Sequence, residues 1–251
     1  MEIVVLKFGG TSVTTLEKRE KIINLVKQTI ANNELPIVVV SAIGRYPDNY
    51  ATDTLISLVD DDFKQKNLLA MDLLMSCGET ISSVIISATL EANGIRAIPL
   101  TGGQAGIITD NEFGNASIIQ YNSKLIRSIL KEGKVPVVTG FQGVTKDGYI
   151  TTLGRGGSDT TATIIGTYLN AKRIEIYTDV DGIMTNDPRI DKNAKLIEEI
   201  SYSKAYNMAL KGAKVIHHKA IKYPQEKNVP IYIKNILKDY NAKCTIIKDL
   251  D

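Results

Sequence analysis

The sequence predicts a three-layer α/β/α sandwich with a mostly parallel central sheet. Short runs of β-branched residues alternate with amphipathic segments of helical period, as in α/β proteins. The first strands are continuous apolar runs, which is typical of parallel strands covered on both faces. Glycine-rich turns follow several of these runs, and in such sheets ligands bind beyond the carboxyl ends of the strands. With 251 residues and 43% hydrophobic content, we expect residues 1–251 to form one domain.

The composition narrows the classes of partner. The 30 basic and 28 acidic residues nearly balance, so the charge does not predict a nucleic-acid partner. Two cysteines and two adjacent histidines cannot supply a tetrahedral metal site with the usual spacing, so no protein-ligated metal is predicted. The amino terminus lacks the pattern of a signal peptide, and no apolar run is long enough to span a bilayer. We therefore expect a cytoplasmic protein with no membrane partner.

The amino-terminal segment predicts a strand, a glycine turn, a helix and a parallel strand. Residues 3–8 form a β-branched apolar run broken only by Lys7, the pattern of a buried central strand. After the turn, Thr14 and Glu17 are spaced as a capping box for an amphipathic helix. A second buried strand is predicted at 37–41, and the right-handed crossover rule makes it parallel to the first.

The rest of the chain continues this alternation. An Asp147-Gly148 pair predicts a hairpin turn, and Asn93-Gly94 and Gly133 predict helix ends. The predicted helices are at 67–75, 79–93, 123–131, 160–169, 203–210 and 215–222, with a short capped apolar segment at 52–59. The predicted strands are at 97–100, 136–139, 141–145, 149–153, 173–178, 231–233 and 244–247. Polar, glycine-rich segments at 7–11, 154–159 and 178–189 should meet at the carboxyl edge of the sheet.

The segment 154–159, Gly-Arg-Gly-Gly-Ser-Asp, reads as an anion-binding turn at the start of a helix. Arg155 can grip a carboxylate or a phosphate with two parallel hydrogen bonds. Asp159 would repel such an anion unless a lysine or Mg²⁺ lies beside it. Lys7, as a charge in a buried strand, needs an anion, unless its side chain reaches solvent from the strand end.

Nucleotide-binding motifs of two common kinds are absent. The chain contains neither Gly-x-x-x-x-Gly-Lys-Ser/Thr nor Gly-x-Gly-x-x-Gly after its first strand. The glycine pair that follows Lys7 offers bare N–H groups to phosphate oxygens, which makes it a second anion site beside 154–159. Two such sites with a lysine and an arginine favour phosphoryl transfer between two anions, where positioning and charge neutralisation supply most of the acceleration.

An ordered set of motifs along nearly the whole chain carries a resemblance to a known family. They are Lys-Phe-Gly-Gly-Thr-Ser at 7–12, Ser-Ala-Ile-Gly at 41–44, Gly-Glu at 78–79, Leu-Gly-Arg-Gly-Gly-Ser-Asp at 153–159, Tyr-Thr-Asp-Val-Asp-Gly at 177–182, Asp-Pro-Arg at 187–189 and Gly-Ala-Lys-Val at 212–215. In this order the motifs resemble the aspartate kinases of the amino acid kinase family. Each motif is weak by itself, but the ordered set is specific.

The resemblance implies roles for particular residues. Lys7 and Lys214 would stabilise the migrating phosphoryl group, and Asp159 would orient the lysines. The substrate aspartate would contact Ser41, Thr52, Glu79, Arg155, Gly156 and Ser158. The nucleotide would contact Lys7, Gly9, Gly10, Thr178, Asp179, Met184, Asp187, Pro188, Arg189 and Lys214. The implied cofactors are ATP and Mg²⁺, the metal being held mainly by the ATP phosphates.

Simpler structural roles compete with these. Asp159 could cap its helix, Glu79 could be a first-turn glutamate stabilised by the helix dipole, and Asp187-Pro188 could be an ordinary turn. Cys77 is expected to be a small apolar residue rather than a nucleophile. His218 departs from the family's usual His-Pro, and neither it nor His217 is given a catalytic role.

The implied activity is ATP-dependent formation of 4-phospho-L-aspartate from L-aspartate, the first step towards lysine through diaminopimelate, threonine and methionine. A homo-oligomer is expected. Rival functions are a related kinase acting on glutamate, acetylglutamate, carbamate or a nucleotide monophosphate, and a non-catalytic ligand-binding subunit. The family commonly continues into regulatory domains, which are expected to be missing here. A natural short form, a truncation and a subunit regulated by a separate chain all remain open.

Overall fold

The structure is a computed structural model that describes residues 1–186, 190–212 and 215–250. Within these ranges a short 3-10 helix occupies Gly10–Ser12, between the first strand and the first α-helix. The strands are β1 (Glu2–Phe8), β2 (Glu34–Val40), β3 (Ala97–Leu100), β4 (Ile107–Thr109), β5 (Ile118–Tyr121), β6 (Val135–Thr139), β7 (Gln142–Thr145), β8 (Ile150–Thr152), β9 (Arg173–Thr178), β10 (Glu199–Ser201), β11 (Ile231–Asn235) and β12 (Thr245–Lys248). The α-helices are α1 (Leu16–Ala31), α2 (Thr52–Ile56), α3 (Asp61–Lys66), α4 (Leu68–Glu91), α5 (Lys124–Lys131), α6 (Gly157–Leu169), α7 (Tyr202–Leu210) and α8 (His218–Lys227).

The larger sheet has the strand order β10-β12-β11-β9-β1-β2-β6-β3. Its described pairings are parallel except for β11 with β12. β1 lies between β9 and β2, as its apolar pattern, broken only by Lys7, predicted for a central strand. The carboxyl ends of β1, β2, β6 and β9 therefore open on the same edge of the sheet.

Apolar side chains pack on both faces of this sheet. In β1, Val4, Leu6 and Phe8 join one core with residues of α1 and α4. Val5 points the other way and packs with residues of α5, α6, α7 and α8. Alternate residues of a strand face opposite sides, so a central strand must be apolar throughout to serve two cores. The predicted three-layer α/β/α architecture is confirmed.

A second sheet, with the order β5-β4-β7-β8, was not predicted. The hairpin of β7 and β8 around Asp147-Gly148 was predicted and is antiparallel. β4 and β5 are short, and β4 follows Gly106, whose φ is +96°. β4 pairs with β5 and also, in parallel, with the distant strand β7, so the local pattern around β4 carried little signal. The hairpin feeds the chain directly into the turn at 154–159.

The prediction of two helices at 67–75 and 79–93 was wrong, because α4 runs without a break from Leu68 to Glu91. Gly78 lies inside it, where a Cβ atom would come 2.7 Å from the Cβ of Ala42. Glycine here permits close packing rather than ending a helix. Glu79 is consequently in the middle of the helix, and its interpretation as a first-turn glutamate was also wrong.

α4 is long and apolar enough to cross a membrane, by length and composition alone. The expectation that no apolar run reaches this length was therefore wrong. α4 packs against β3, β6 and β8 in this fold. It also buries Asp72 and Glu79, at 0% and 3% exposure, in polar contacts with the rest of the chain. α4 is therefore a core helix of the α/β fold.

The cap of α1 also differs by one residue from its prediction. Thr15 is the N-cap, and its hydroxyl accepts a hydrogen bond from the Lys18 amide at 3.3 Å. Thr14 instead donates its hydroxyl to the Thr11 carbonyl at 3.1 Å. Both threonines satisfy local backbone groups, which explains why spacing alone chose the wrong one.

Candidate active site

Two adjoining cavities open at the carboxyl edge of the large sheet. The first, here called the Arg155 cavity, has a volume of about 310 Å³. The second, the Thr178 cavity, has a volume of about 210 Å³. Both are lined by Lys7, Gly10, Gly44 and Asp159, so these residues form the boundary between the cavities. Their position confirms the expectation that the glycine-rich strand ends meet at one edge.

Lys7 and Asp159 form an ion pair at this boundary, with 2.6 Å between Nζ and Oδ1. The side chains are only 12% and 13% exposed. Lys7 shares the face of β1 with Val5, towards α6, whose first turn carries Asp159. The structure thus provides the partner that each charge was predicted to need. Asp159 is not the N-cap of α6, which is Gly156.

The turn before α6 depends on Gly156, whose φ is +74°. A side chain there would overlap the Cβ of His217, the N-cap of α8. Burial lowers the pKa of His217, and the neighbouring His218 acts in the same direction. Arg155, held by this turn, is exposed beside the cavity and forms no ion pair with any described carboxylate. The amino terminus of α6 adds partial positive charge to the same side.

Glu79 faces this positive side from α4. Its Oε1 accepts a hydrogen bond from the Ala42 amide at 3.1 Å, while Oε2 is buried with no partner among the described residues. Burial raises the pKa of Glu79 to about 7, and the hydrogen bond from Ala42 acts in the opposite direction. A buried carboxylate oxygen without a donor is suited to a ligand that brings one, such as an ammonium group.

The other predicted contacts divide between the two cavities. Ser41, Thr52, Gly156 and Ser158 line the Arg155 cavity with Glu79 and Arg155. Gly9, Gly10, Thr178 and Asp179 line the Thr178 cavity with Lys7. Met184 lines neither; it pairs with Leu196 in an isolated β-bridge. The predicted contacts Asp187, Pro188, Arg189 and Lys214 lie outside the described residues.

Gly10 lies at the boundary between the two cavities, where there is no room for a side chain. A Cβ atom there would lie 2.5 Å from the Ala42 carbonyl oxygen. The glycine therefore lets the loop after β1 touch the loop after β2. Asp159 and Asp179 are the carboxylates that line the Thr178 cavity and could contact a hydrated divalent ion carried by phosphates.

Sequence reasoning gave no site role to several side chains that line these cavities, and Phe141 and Arg45 are two of them. Phe141 follows β6 and lines the Arg155 cavity with a φ of +71°, which no sequence pattern predicts for phenylalanine. Arg45 lines the Thr178 cavity and makes no ion pair among the described residues. Arg45 follows Gly44 in a loop just beyond the end of β2, and a cation in such a loop is a signal in the sequence that could have identified it.

Comparisons with known proteins identify the family to which the chain is similar. The model of the family described as "Amino acid kinase family" matches residues 2–235. Aspartokinase 1 of Bacillus subtilis (strain 168) is 43% identical over 247 residues, covering 98% of this chain and 61% of its own length. Aspartate kinase from Synechocystis has a TM-score of 0.83 and 35% identity, over 98% of this chain and 39% of that one.

A third similar protein was solved as a complex with ligands. E. coli aspartokinase III in complex with aspartate and ADP has a TM-score of 0.84 and 27% identity, over 99% of this chain and 65% of that one. The chain spans about 60% of the length of the curated relatives that it matches.

Proposed function

The chain belongs to the amino acid kinase family, and from that premise we propose that it transfers the γ-phosphoryl group of ATP to the side-chain carboxylate of L-aspartate. The product is 4-phospho-L-aspartate. The observation that carries the proposal is the Lys7–Asp159 ion pair between two cavities of different character. A kinase needs this arrangement, because donor and acceptor must meet at a cation while each is held separately.

The Arg155 cavity is the proposed aspartate site. Arg155 pairs with the α-carboxylate, and the free oxygen of Glu79 accepts the α-ammonium. Ser41, Thr52, Ser158 and the backbone at Gly156 supply hydrogen bonds around the substrate. This set favours a free amino acid over an acylated one, since acylation removes the ammonium that Glu79 would bind.

The Thr178 cavity is the proposed site of the ATP phosphates. The backbone at Gly9 and Gly10 approaches them, Lys7 lies beside the γ-phosphoryl group, and Thr178 and Asp179 line the far side. Mg²⁺, carried by the phosphates, neutralises part of their charge. Met184, Asp187, Pro188, Arg189 and Lys214 complete the proposed nucleotide contacts, and Lys214 joins Lys7 as the second catalytic lysine.

In the proposed step, a side-chain oxygen of aspartate attacks the γ-phosphorus, and the bond from that phosphorus to the bridging oxygen of ADP breaks. The attacking carboxylate is already ionised near neutral pH, so no general base is required. Lys7 offsets the charge on the transferring oxygens, and Asp159 keeps its ammonium in position.

We also propose the wider setting that the family resemblance of the motifs implies. Acyl phosphate formation on aspartate would begin the routes to lysine through diaminopimelate, threonine and methionine. A cytoplasmic homo-oligomer is proposed, with residues 1–251 as a catalytic domain.

Trapping of the acyl phosphate with hydroxylamine tests the function. The chain is incubated with MgATP, hydroxylamine and, in separate reactions, L-aspartate, L-glutamate or N-acetyl-L-glutamate. Aspartate is expected to give the most hydroxamate and the acetylated acceptor none. A preference for another acceptor would identify a related kinase, and ATP binding with no product from any acceptor would identify a non-catalytic subunit.

A further inference from the structure

Asp72 is a fully buried carboxylate that lines neither cavity. Its Oδ1 accepts the Thr152 hydroxyl at 2.6 Å, and its Oδ2 accepts the Thr152 amide at 2.8 Å. The Gly114 amide donates to both oxygens, at 3.0 and 2.9 Å. Such a set of donors fixes the carboxylate relative to two separate segments of backbone.

Both segments support the turn that carries Arg155. Thr152 ends β8 and is followed after one residue by Gly154, and its carbonyl accepts the Ala116 amide at 2.8 Å. The loop after Gly114 packs on the turn so closely that a Cβ atom on Gly154 would lie 2.5 Å from Asn115 Oδ1. Asp72 therefore anchors the start of the turn on α4.

The same face of α4 carries Glu79. Asp72, Ser76 and Glu79 are spaced at i, i+4 and i+7, which places them along one stripe of a helix. The Ser76 carbonyl accepts the Gln142 side-chain amide at 3.1 Å, so the stripe also holds the beginning of β7. Seven residues of helix span about 10 Å, and a continuous helix transmits this distance rigidly.

We infer that Asp72 is a positioning residue that sets the separation between Glu79 and Arg155 across the Arg155 cavity. Glu79 is itself a residue of α4. Arg155 is positioned relative to α4 indirectly, because Asp72 binds Thr152 and Thr152 leads into the turn that carries Arg155. This inference rests on the proposed function, in which these two side chains bind opposite charges of one amino acid. A change in their separation weakens binding of a rigid two-point ligand more than binding of nucleotide.

The test is the substitution Asp72→Asn, which keeps the shape but turns one acceptor into a donor facing N–H groups. The KM for L-aspartate is expected to rise by about tenfold or more, from the loss of charge-assisted hydrogen bonds. The KM for ATP should change by less than about threefold, because the Thr178 cavity does not depend on this anchor. The matched control is Glu34→Gln, another buried carboxylate, which bonds Arg173 at the opposite edge of the sheet. It should leave the aspartate KM unchanged while lowering the unfolding temperature.

The outcomes separate the two proposals. An inactive wild type would contradict the proposed function itself. An active wild type with an unchanged aspartate KM in Asp72→Asn, or with equal shifts in both KM values, would overturn the positioning role. If Asp72→Asn does not fold, Thr152→Val removes the 2.6 Å hydroxyl bond alone. It should raise the aspartate KM several-fold, and an unchanged KM would likewise overturn the inference.

Discussion

At the scale of single residues, the site is a balance of buried charges. The cost of removing the Lys7 ammonium from water is offset because Asp159 lies 2.6 Å away. Removing either partner leaves the charge of the other uncompensated. Glu79 is different, since its burial is only partly offset by one backbone amide. Lys7 and Asp159 compensate each other's charge, whereas Oε2 of Glu79 has no hydrogen-bond donor among the described residues.

Replacing Lys7 with alanine tests the pair's role in the reaction. We expect kcat to fall by about 100-fold or more, because the cation acts on charge that moves in the transition state. The aspartate KM should change by less than about threefold, which steady-state kinetics will measure. Lys172→Ala is the control, since that lysine pairs with Glu2 and Glu34 at the opposite edge. Equal turnover in Lys7→Ala would remove Lys7 from the catalytic step.

The pKa of Glu79 predicts a pH dependence for aspartate capture. Only the ionised carboxylate pairs with an ammonium, and burial places the pKa of Glu79 at about 7. The kcat/KM for aspartate should therefore rise as the pH increases through about 7 and level off above it. Glu79→Gln should raise the aspartate KM and abolish that rise.

A control on the same helix isolates this effect. Glu91 also accepts a backbone amide, from Ala97 at 2.7 Å, at the far end of α4. Glu91→Gln should keep the wild-type pH profile. A profile in Glu79→Gln that still rises near pH 7 would show that another group titrates.

At the scale of elements, the turn between β8 and α6 is the part on which the site depends most. It is held by α4 from one side and by the start of α8 from the other. Gly156 is required there for two reasons, a left-handed φ and the contact with His217. A third contact connects α8 with the loop that packs on this turn, because Lys219 Nζ donates a hydrogen bond to Asn115 Oδ1 at 2.6 Å.

Substituting Gly156 with alanine separates these two reasons when Gly94 is the control. Gly94 has a similar φ of +78°, but a Cβ atom there would meet nothing within 4 Å. Gly94→Ala should cost about 1 kcal/mol of unfolding free energy, and Gly156→Ala about 2–3 kcal/mol. Gly156→Ala should also raise the aspartate KM, since the turn carries Arg155. Equal costs in chemical denaturation would mean that the His217 contact adds nothing.

The local sequence pattern predicted two kinds of element. These are strands that are buried on both faces and a hairpin that is fixed by its own turn. β1, β2 and the β7–β8 hairpin followed from apolar runs and the Asp-Gly turn. The continuity of α4 was missed because its apolar periodicity was assigned to two separate segments, whereas Gly78 between them lies within the helix and admits Ala42. β4 was missed because its pairing with β7 is a tertiary interaction.

At the scale of the whole molecule, the parallel sheet gathers residues that are distant in sequence. Lys7, Ser41, Phe141 and Thr178 all lie at or just beyond strand ends on one edge. The charged members could be predicted because a buried charge requires a partner. Phe141 could not, since its backbone conformation follows from tertiary packing. The role of Asp72 could not be predicted either, because no sequence motif marks a single carboxylate within an apolar helix.

The most direct test of the proposed function is the dependence of ADP formation on aspartate. ADP is measured with MgATP in the presence and absence of L-aspartate, for the wild type and for Asp159→Asn. We predict that the wild type forms ADP only with aspartate. Asp159→Asn should still fold, with a lower unfolding temperature because Lys7 loses its partner, but it should lose this activity. ADP formation that is equal with and without aspartate, or full activity in Asp159→Asn, would contradict the proposed function.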